Sequence, residues 1–177
     1  MQYHQLSDAT AQQLLANNLV LDDVRRIIAV ALDEDLKNGH DVTTNSTVPE
    51  SQRSTGVFAT RMNGCIAGID VAVAVLEMVC GSQNINVSKH VADCARVKPG
   101  DKLMSVDAPT RGLLTAERTA LNLLCHLSGV ATATSEWADA LAQTGAQVRD
   151  TRKTTPGMRA LEKFGCVICR FRCAIIN

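Results

Sequence analysis

The chain has 177 residues, of which 46% are hydrophobic and only 3% aromatic, so we expect one or two small domains in which aliphatic side chains pack helices against a sheet. The formal net charge is zero and no aromatic residues are interleaved with basic ones, which argues against nucleic-acid binding. No apolar run approaches the roughly 18 residues that cross a bilayer, no signal peptide opens the chain, and seven scattered cysteines do not form a disulfide framework, so we predict a cytoplasmic protein with reduced thiols and no membrane partner.

The first 50 residues contain one clear helical signal. Residues 1–21 are polar, with a weak helical tendency, and are predicted to be an N-terminal extension. Apolar side chains then recur at the i, i+3, i+4, i+7 positions of one helix face, which predicts a helix over 22–36. The acidic stretch 34–43, with Gly39 as a helix stop, lacks the oxygen spacing of a calcium-binding loop, so we favour a structural loop over a metal site.

Residues 55–107 have the pattern of a small domain made of short strands and one helix. A turn at Met62–Gly64 lies between two β-like runs, which is the chemistry of a hairpin. A helix begins at Asp70 and is closed by Gly81, and a Pro-Gly turn at 99–100 precedes the last strand. The predicted strands are 57–60, 65–69, 84–91 and 102–106.

Two helices and a strand follow Pro109. The sequence predicts a helix over 113–127 that stops at Gly129, a second helix over 130–144 that stops at Gly145, and a strand at 147–149. Helices alternating with a strand in this way are typical of parallel α/β architecture.

A polar and cationic cluster, residues 150–157, follows the predicted strand. In α/β folds the chain leaves the sheet at the strand's carboxyl end, where ligands bind. Arg152 offers a planar fork and Lys153 a point charge, a combination that suits a carboxylate next to a phosphate. Residues 149–172 hold seven bases and two acids, whereas residues 1–50 hold three bases and eight acids, so an anionic ligand is expected in the C-terminal part. A solvated cationic loop is the alternative.

Other reactive side chains carry weaker signals. Glu117 and Arg118 are first interpreted as a surface ion pair with neighbouring residues, and His126 as a polar rim residue. The remaining histidines have no partners at zinc-ligand spacing. Three cysteines at 166, 169 and 173 have a C-x2-C-x3-C arrangement, but no fourth ligand stands nearby and no metal site is predicted there.

Three longer stretches together resemble the quinolinate phosphoribosyltransferase family. They are Glu34–Thr43, Leu113–Thr132 and Asp150–Arg159. The resemblance implies an α/β fold in which an N-terminal α/β sandwich domain, here 22–110, is followed by the start of an incomplete α/β barrel, here 111–163 with its linking helices. It also implies phosphoribosyl transfer from phosphoribosyl pyrophosphate to quinolinate with decarboxylation, a step of NAD biosynthesis that gives nicotinate mononucleotide, pyrophosphate and carbon dioxide. Magnesium is the implied cofactor, and its ligands are not in this chain.

The resemblance also assigns roles to four residues. Arg118 matches an arginine that reaches into a neighbouring subunit to hold the substrate carboxylate, which implies a homodimer and replaces the surface-pair interpretation. Thr151, Arg152 and Lys153 match the substrate-binding triplet, with Arg152 on quinolinate and with Lys153, the implied catalytic side chain, on the quinolinate or the phosphoribosyl side.

The resemblance is expected to end after Lys163. Residues 164–177 form an atypical tail, and the family's later residues for ribose and magnesium are not found, so we expect the 177-residue chain to be inactive or nearly so and prone to aggregate. Two alternatives remain. One is a non-catalytic remnant that dimerises, and the other is a biotinyl- or lipoyl-like module suggested by the turn at 97–103, although no exposed lysine stands in a tight hairpin there.

Overall fold

The computed structural model describes residues 3–36 and 41–170. The predicted stop at Gly39 and the tail from 171 onward, with Cys173, lie outside this part of the chain. The described elements are α1 (Asp8–Ala16), α2 (Leu21–Leu36), α3 (Val42–Thr47), β1 (Arg53–Ala59), β2 (Gly64–Cys65), α4 (Ile69–Cys80), a 3-10 turn (Ser82–Asn84), β3 (Asn86–Lys89), β4 (Arg96–Val97), β5 (Lys102–Pro109), α5 (Thr110–Leu141) and α6 (Arg159–Arg170).

The main sheet has three antiparallel strands in the order β1-β5-β3, so the last strand in the chain is the central one. Successive side chains of β5 point to opposite faces of the sheet. Those of Met104, Val106 and Ala108 share one face and are completely buried. Helices α4 and α5 pack against each other and against β5. This layer of helices on a sheet has the architecture predicted for the N-terminal domain, although α5 continues past the predicted boundary at residue 110.

Helix α4 lies at the centre of the core. All ten residues from Ile69 to Met78 are buried, which is the environment expected for a helix whose side chains are mostly apolar all round. Gly81, at φ 81°, ends the helix and donates its N–H to the carbonyl of Glu77 at 2.8 Å. The helix predicted to begin at Asp70 and to end at Gly81 is therefore confirmed, as is α2 over 22–36.

Residues 3–21 of the predicted N-terminal extension include a helix that packs against the domain. Ser7 caps α1, and Leu14 of that helix is completely buried. Glu77 of α4, itself buried, accepts hydrogen bonds from the backbone N–H of Ser7 at 2.8 Å and from the hydroxyls of Ser7 and Thr10 at 2.7 and 2.8 Å. These contacts attach α1 to the core helix.

The predicted hairpin around Met62–Gly64 is wrong. Strand β1 pairs with β5, and β2 pairs with β4, so the runs on either side of the turn belong to different sheets. The Thr60 hydroxyl donates to the carbonyl of Met62 at 2.7 Å, a local side-chain bond that turns the chain without closing a ladder. Likewise, the turn at 97–103 leads from β4 in one sheet to β5 in the other, which removes the support for a carrier module.

The predicted break at Gly129 is also wrong, because α5 runs without interruption from Thr110 to Leu141. Glycine in a helix costs about 1 kcal/mol relative to alanine. Here Leu124 and Leu127 before it and Ala131 after it are all buried on one face, and this packing outweighs the local penalty.

No strand forms at 147–149 within the described residues, and the segment from Gly145 to Met158 links α5 to α6 without regular structure. A strand needs a neighbour whose backbone groups it can pair, and both described sheets are antiparallel and lie in the N-terminal part. Residues 159–170 are helical, so the predicted tail begins inside α6. None of the helices in the described ranges is long and apolar enough to span a membrane.

Candidate active site

The cationic loop, residues 150–157, is attached to α6. Lys163 of that helix forms an ion pair with Asp150, at 2.7 Å between Nζ and Oδ2. Arg159 donates through Nη2 to the backbone carbonyl of Arg152 at 3.3 Å and through Nε to the hydroxyl of Thr154 at 3.2 Å. The helix therefore holds the loop by its backbone and by Asp150, and the side chain of Arg152 is left exposed.

The loop also has internal hydrogen bonds. The backbone N–H of Lys153 donates to the hydroxyl of Thr151 at 3.1 Å, which closes a local turn around Arg152. Gly157, at φ 83°, then reverses the chain into α6, and the N–H of Met158 donates to the carbonyl of Thr155 at 3.0 Å. Thr151, Arg152 and Lys153 are all exposed, so one short loop presents a hydroxyl and two cations to solvent.

Glu162 of α6 connects the cationic loop to α5. One of its carboxylate oxygens accepts from the backbone N–H of Thr155 at 3.1 Å, and the other is 2.8 Å from Nε2 of His126 on α5. Partial burial opposes ionisation, but the hydrogen bonds from Thr155 and His126 outweigh it and lower the pKa of Glu162 below its ordinary value. His126 is an exposed rim residue, as predicted, and it has a carboxylate partner that the sequence did not indicate.

Arg118 lies on α5 with 72% of its side chain exposed. Its guanidinium donates to Asp35 at the end of α2, so Arg118 does form an ion pair with a neighbouring residue, and this partner comes from a different helix. The hydrogen bond to Asp35 raises the pKa of Arg118. Asp35 is 18% exposed, so a largely covered carboxylate holds a largely exposed cation.

A second carboxylate lies close to Arg118. Asp41 caps α3 by accepting from the backbone N–H of Thr44 at 2.9 Å and from its hydroxyl at 2.5 Å, and these bonds lower the pKa of Asp41. The charge of Arg118 lowers it further. Sequence reasoning assigned no role to Asp35 or Asp41, and the available signal was that both belong to the first of the three resembling stretches.

The four predicted site residues fall into two groups. Thr151, Arg152 and Lys153 share one loop, and Arg118 lies on a different element with a partner from α2. In the described parts of the chain, no hydrogen bond or ion pair joins Arg118 to that triplet.

The residues beside the loop do not fit a magnesium ion. Mg²⁺ prefers carboxylate oxygens with several waters or phosphates. The carboxylates there belong to Asp150 and Glu162, and Lys163, His126 and Thr155 already engage them.

Two family models match the chain. "Quinolinate phosphoribosyl transferase, N-terminal domain" matches residues 41–128, and "Quinolinate phosphoribosyl transferase, C-terminal domain" matches residues 130–169. Together the ranges take in most of the chain. The second range extends six residues past Lys163, where the resemblance was expected to end, so α6 belongs to the similar region nearly to its last residue.

Individual relatives agree with the family models. The chain is 52% identical over 143 residues to the nicotinate-nucleotide pyrophosphorylase (carboxylating) of Mycobacterium leprae, a match that covers 81% of this chain and 50% of the relative. It is 35% identical over 146 residues to the mitochondrial quinolinate phosphoribosyltransferase (decarboxylating) 2b of Nicotiana tabacum, covering 82% of this chain and 40% of the relative. The chain therefore spans half or less of the length of these relatives.

Solved structures show the same likeness. The fold matches the nicotinate-nucleotide pyrophosphorylase of Francisella tularensis with a TM-score of 0.75 at 31% identity, covering 86% of this chain and 51% of that one. It matches the Ehrlichia chaffeensis protein of the same name with a TM-score of 0.77 at 34% identity, covering 82% and 52%. These matches confirm the predicted fold class, an N-terminal α/β sandwich domain followed by the start of an incomplete α/β barrel. On the strength of both domain models, the sequence relatives and the shared fold, the chain belongs to the quinolinate phosphoribosyltransferase family.

Proposed function

We propose that this chain supplies the quinolinate-binding cations of an enzyme that transfers the phosphoribosyl group of phosphoribosyl pyrophosphate to quinolinate with decarboxylation. The products are nicotinate mononucleotide, pyrophosphate and carbon dioxide, and the reaction serves NAD biosynthesis. The observation that carries the proposal is the cationic loop, in which Arg152 and Lys153 are exposed side by side while α6 holds the backbone beneath them. Family membership makes quinolinate the ligand to test first.

The chemistry of the loop suits a pyridine with two carboxylates. The guanidinium of Arg152 donates two parallel hydrogen bonds to one carboxylate, and the ammonium of Lys153 is a compact charge for the second carboxylate or for a phosphate. The hydroxyl of Thr151 already accepts from the backbone of Lys153, which leaves its proton available for a ligand oxygen.

These cations also favour the reaction itself. Displacement at the anomeric carbon leaves negative charge on the departing pyrophosphate, and loss of carbon dioxide leaves an electron pair on the pyridine ring. Fixed positive groups stabilise both changes in charge without having to reorganise. We assign this role to Lys153, and carboxylate binding to Arg152.

We further propose that Arg118 completes the site of a second copy in a homodimer. Leu114, Leu121 and Cys125 lie on the same face of α5 as Arg118, and all are exposed. This face of α5 is apolar around an exposed arginine, and Asp35 orients that arginine. Such a face suits a contact with a second copy of the chain.

The magnesium requirement stays a prediction. Mg²⁺ is commonly held by a few carboxylates and the phosphates of its substrate. Because the carboxylates beside the loop are engaged, we expect quinolinate to bind this chain without added magnesium.

Calorimetric titration of the 177-residue chain with quinolinate tests the proposal. We expect Arg152→Ala to weaken binding about tenfold to a hundredfold, since a charged hydrogen-bonded pair is lost. Arg149→Ala is the matched control, because it removes another exposed cation from the same segment. Equal losses in the two variants would show nonspecific attraction of an anion. Chromatographic detection of nicotinate mononucleotide separates binding from turnover, and we expect binding with little turnover.

Mixed dimers test the role of Arg118. If it acts in a neighbouring site, Arg118→Ala and Arg152→Ala chains that each bind poorly should regain some tight sites when mixed, because one site of each mixed dimer has both arginines. Absence of recovery in a mixture shown by light scattering to be dimeric would contradict the proposal. Dimers that bind no quinolinate would favour the non-catalytic remnant.

A further inference from the structure

Three cysteines from separate parts of the chain meet in the core. Cys65 ends β2, Cys94 lies in the loop between β3 and β4, and Cys169 lies near the end of α6. Their sulfur atoms all lie within 4.8 Å of one another, and none of the three is in a disulfide. Only Cys169 belongs to the C-x2-C-x3-C pattern, so the cluster was not visible from cysteine spacing.

The backbone holds each cysteine in place. Cys65 pairs with Arg96 in the β2–β4 ladder, and its N–H donates to the hydroxyl of Thr132 at 2.9 Å. Cys94 has φ 68°, a conformation that few residues with a side chain adopt, and its N–H donates to the carbonyl of Ile66 at 2.6 Å. Cys169 is completely buried.

The separation of the three sulfur atoms suits a single metal ion. Zinc–thiolate bonds are about 2.3 Å long, so sulfurs that lie within 4.8 Å of one another can contact one ion after small side-chain adjustments. Thiolate is the form of cysteine that binds metal.

We propose that Cys65, Cys94 and Cys169 form a site for one thiophilic d10 divalent cation, Zn²⁺, with its fourth position beside Cys94. Thiolate ligands select soft or borderline cations over Mg²⁺ and Ca²⁺, and zinc accepts three protein ligands with water as the fourth. Cys94 is half-buried, so it gives the cation and a water a route from solvent, whereas Cys65 and Cys169 close the inner side. Zinc binding would join α6 to the β2 and β4 region, a structural role independent of quinolinate binding.

Titration of the reduced 177-residue chain with Co²⁺, the spectroscopic substitute for Zn²⁺, tests the site. We expect one cobalt ion per chain, the charge-transfer absorption of cobalt bound to thiolates, and loss of that absorption when Zn²⁺ displaces cobalt. Cys65→Ser, Cys94→Ser and Cys169→Ser should each remove most of the absorption.

Two cysteines outside the cluster are the matched controls. Cys125→Ser removes an exposed thiol from α5, and Cys166→Ser removes a thiol one turn from Cys169 on α6. Both should keep the full absorption. Loss in Cys166→Ser, retention in Cys169→Ser, or no thiolate absorption in the unsubstituted chain would each overturn the proposal. Should Cys169→Ser fail to fold, as judged by circular dichroism, Cys94→Ser decides, because its side chain is only half-buried.

Discussion

Asp35 accepts a hydrogen bond from the guanidinium of Arg118, although 83 residues separate them in the chain. The contact joins the end of α2 to the exposed face of α5, and Asp35 is the more covered partner. An arginine has five N–H donors in a fixed fork, so a single carboxylate orients the group without exhausting it. The pair therefore leaves Arg118 able to bind a second anion.

Arg118→Ala should weaken quinolinate binding about tenfold to a hundredfold and leave the thermal unfolding midpoint nearly unchanged, since exposed ion pairs contribute little to stability. Arg111→Ala, on the same helix, should instead reduce stability and leave quinolinate binding nearly unchanged. Arg111 donates to the backbone carbonyls of Val48 at 2.8 Å and Asn45 at 3.2 Å, so its loss should cost about 1 to 2 kcal/mol of stability and little affinity. Calorimetric titration and thermal unfolding of both variants check this pattern, and a lower midpoint for Arg118→Ala would contradict it.

Glu77→Ala should destabilise the protein by about 2 to 4 kcal/mol, because it leaves the N–H of Ser7 and the hydroxyls of Ser7 and Thr10 without their acceptor in the interior. Urea unfolding measures the change. Glu136→Ala, which removes an exposed glutamate from α5, should change stability by less than about 0.5 kcal/mol. Similar values for the two variants would show that α1 does not depend on Glu77.

Gly129→Ala should stabilise the protein by about 0.5 to 1 kcal/mol, because Gly129 is exposed within α5 and an added methyl group meets no atom within 4 Å beyond the adjoining backbone of its own helix. Gly112→Ala in the same helix should destabilise it by about 1 to 3 kcal/mol, because the new methyl group would collide with the sulfur of Cys80. Urea unfolding of both variants measures whether each substitution raises or lowers the free energy of unfolding. Destabilisation by Gly129→Ala would mean that α5 is not continuous there.

Glu162→Gln should reduce stability at neutral pH, and its effect should fade in acid. Because hydrogen bonds lower the pKa of Glu162 in the folded protein, its contribution is complete above its ordinary pKa of 4.5 and is lost as pH falls through the lower folded value. Free energies of unfolding measured from pH 7 to pH 3 should therefore converge for the two proteins below about 4.5. If the difference in the free energy of unfolding stayed constant across this pH range, ionisation of Glu162 would not be the cause of that difference.

Apolar periodicity and glycine positions correctly predicted the helices and strands whose ends are set by residues nearby in the sequence. The apolar periodicity of α2 and the glycine after α4 placed both helices within about one residue, a spread comparable to that between assignment methods. Strand β5 was expected over 102–106 and runs to Pro109. The local charge pattern identified the cationic loop, residues 150–157, and the family resemblance assigned roles to its side chains.

Contacts between distant residues account for what the sequence did not predict. The partner of β1 is β5, some fifty residues later, and not the neighbouring β2. The predicted strand at 147–149 has no strand beside it among the described residues. Arg118 finds its carboxylate on another helix, and Cys169 meets cysteines more than seventy residues earlier. None of these partners lies within the windows that periodicity and spacing examine.

Helix α5 is about 48 Å long at 1.5 Å per residue, and the border between the two family matches falls inside it, at residues 128–130. The two matched regions therefore share one continuous helix, and no loop separates them at that border. A chimaera that joins this chain to a relative at residue 129 would place the junction in the middle of α5. A junction before Thr110 or after Gly145 would instead take the whole of α5 from one of the two proteins.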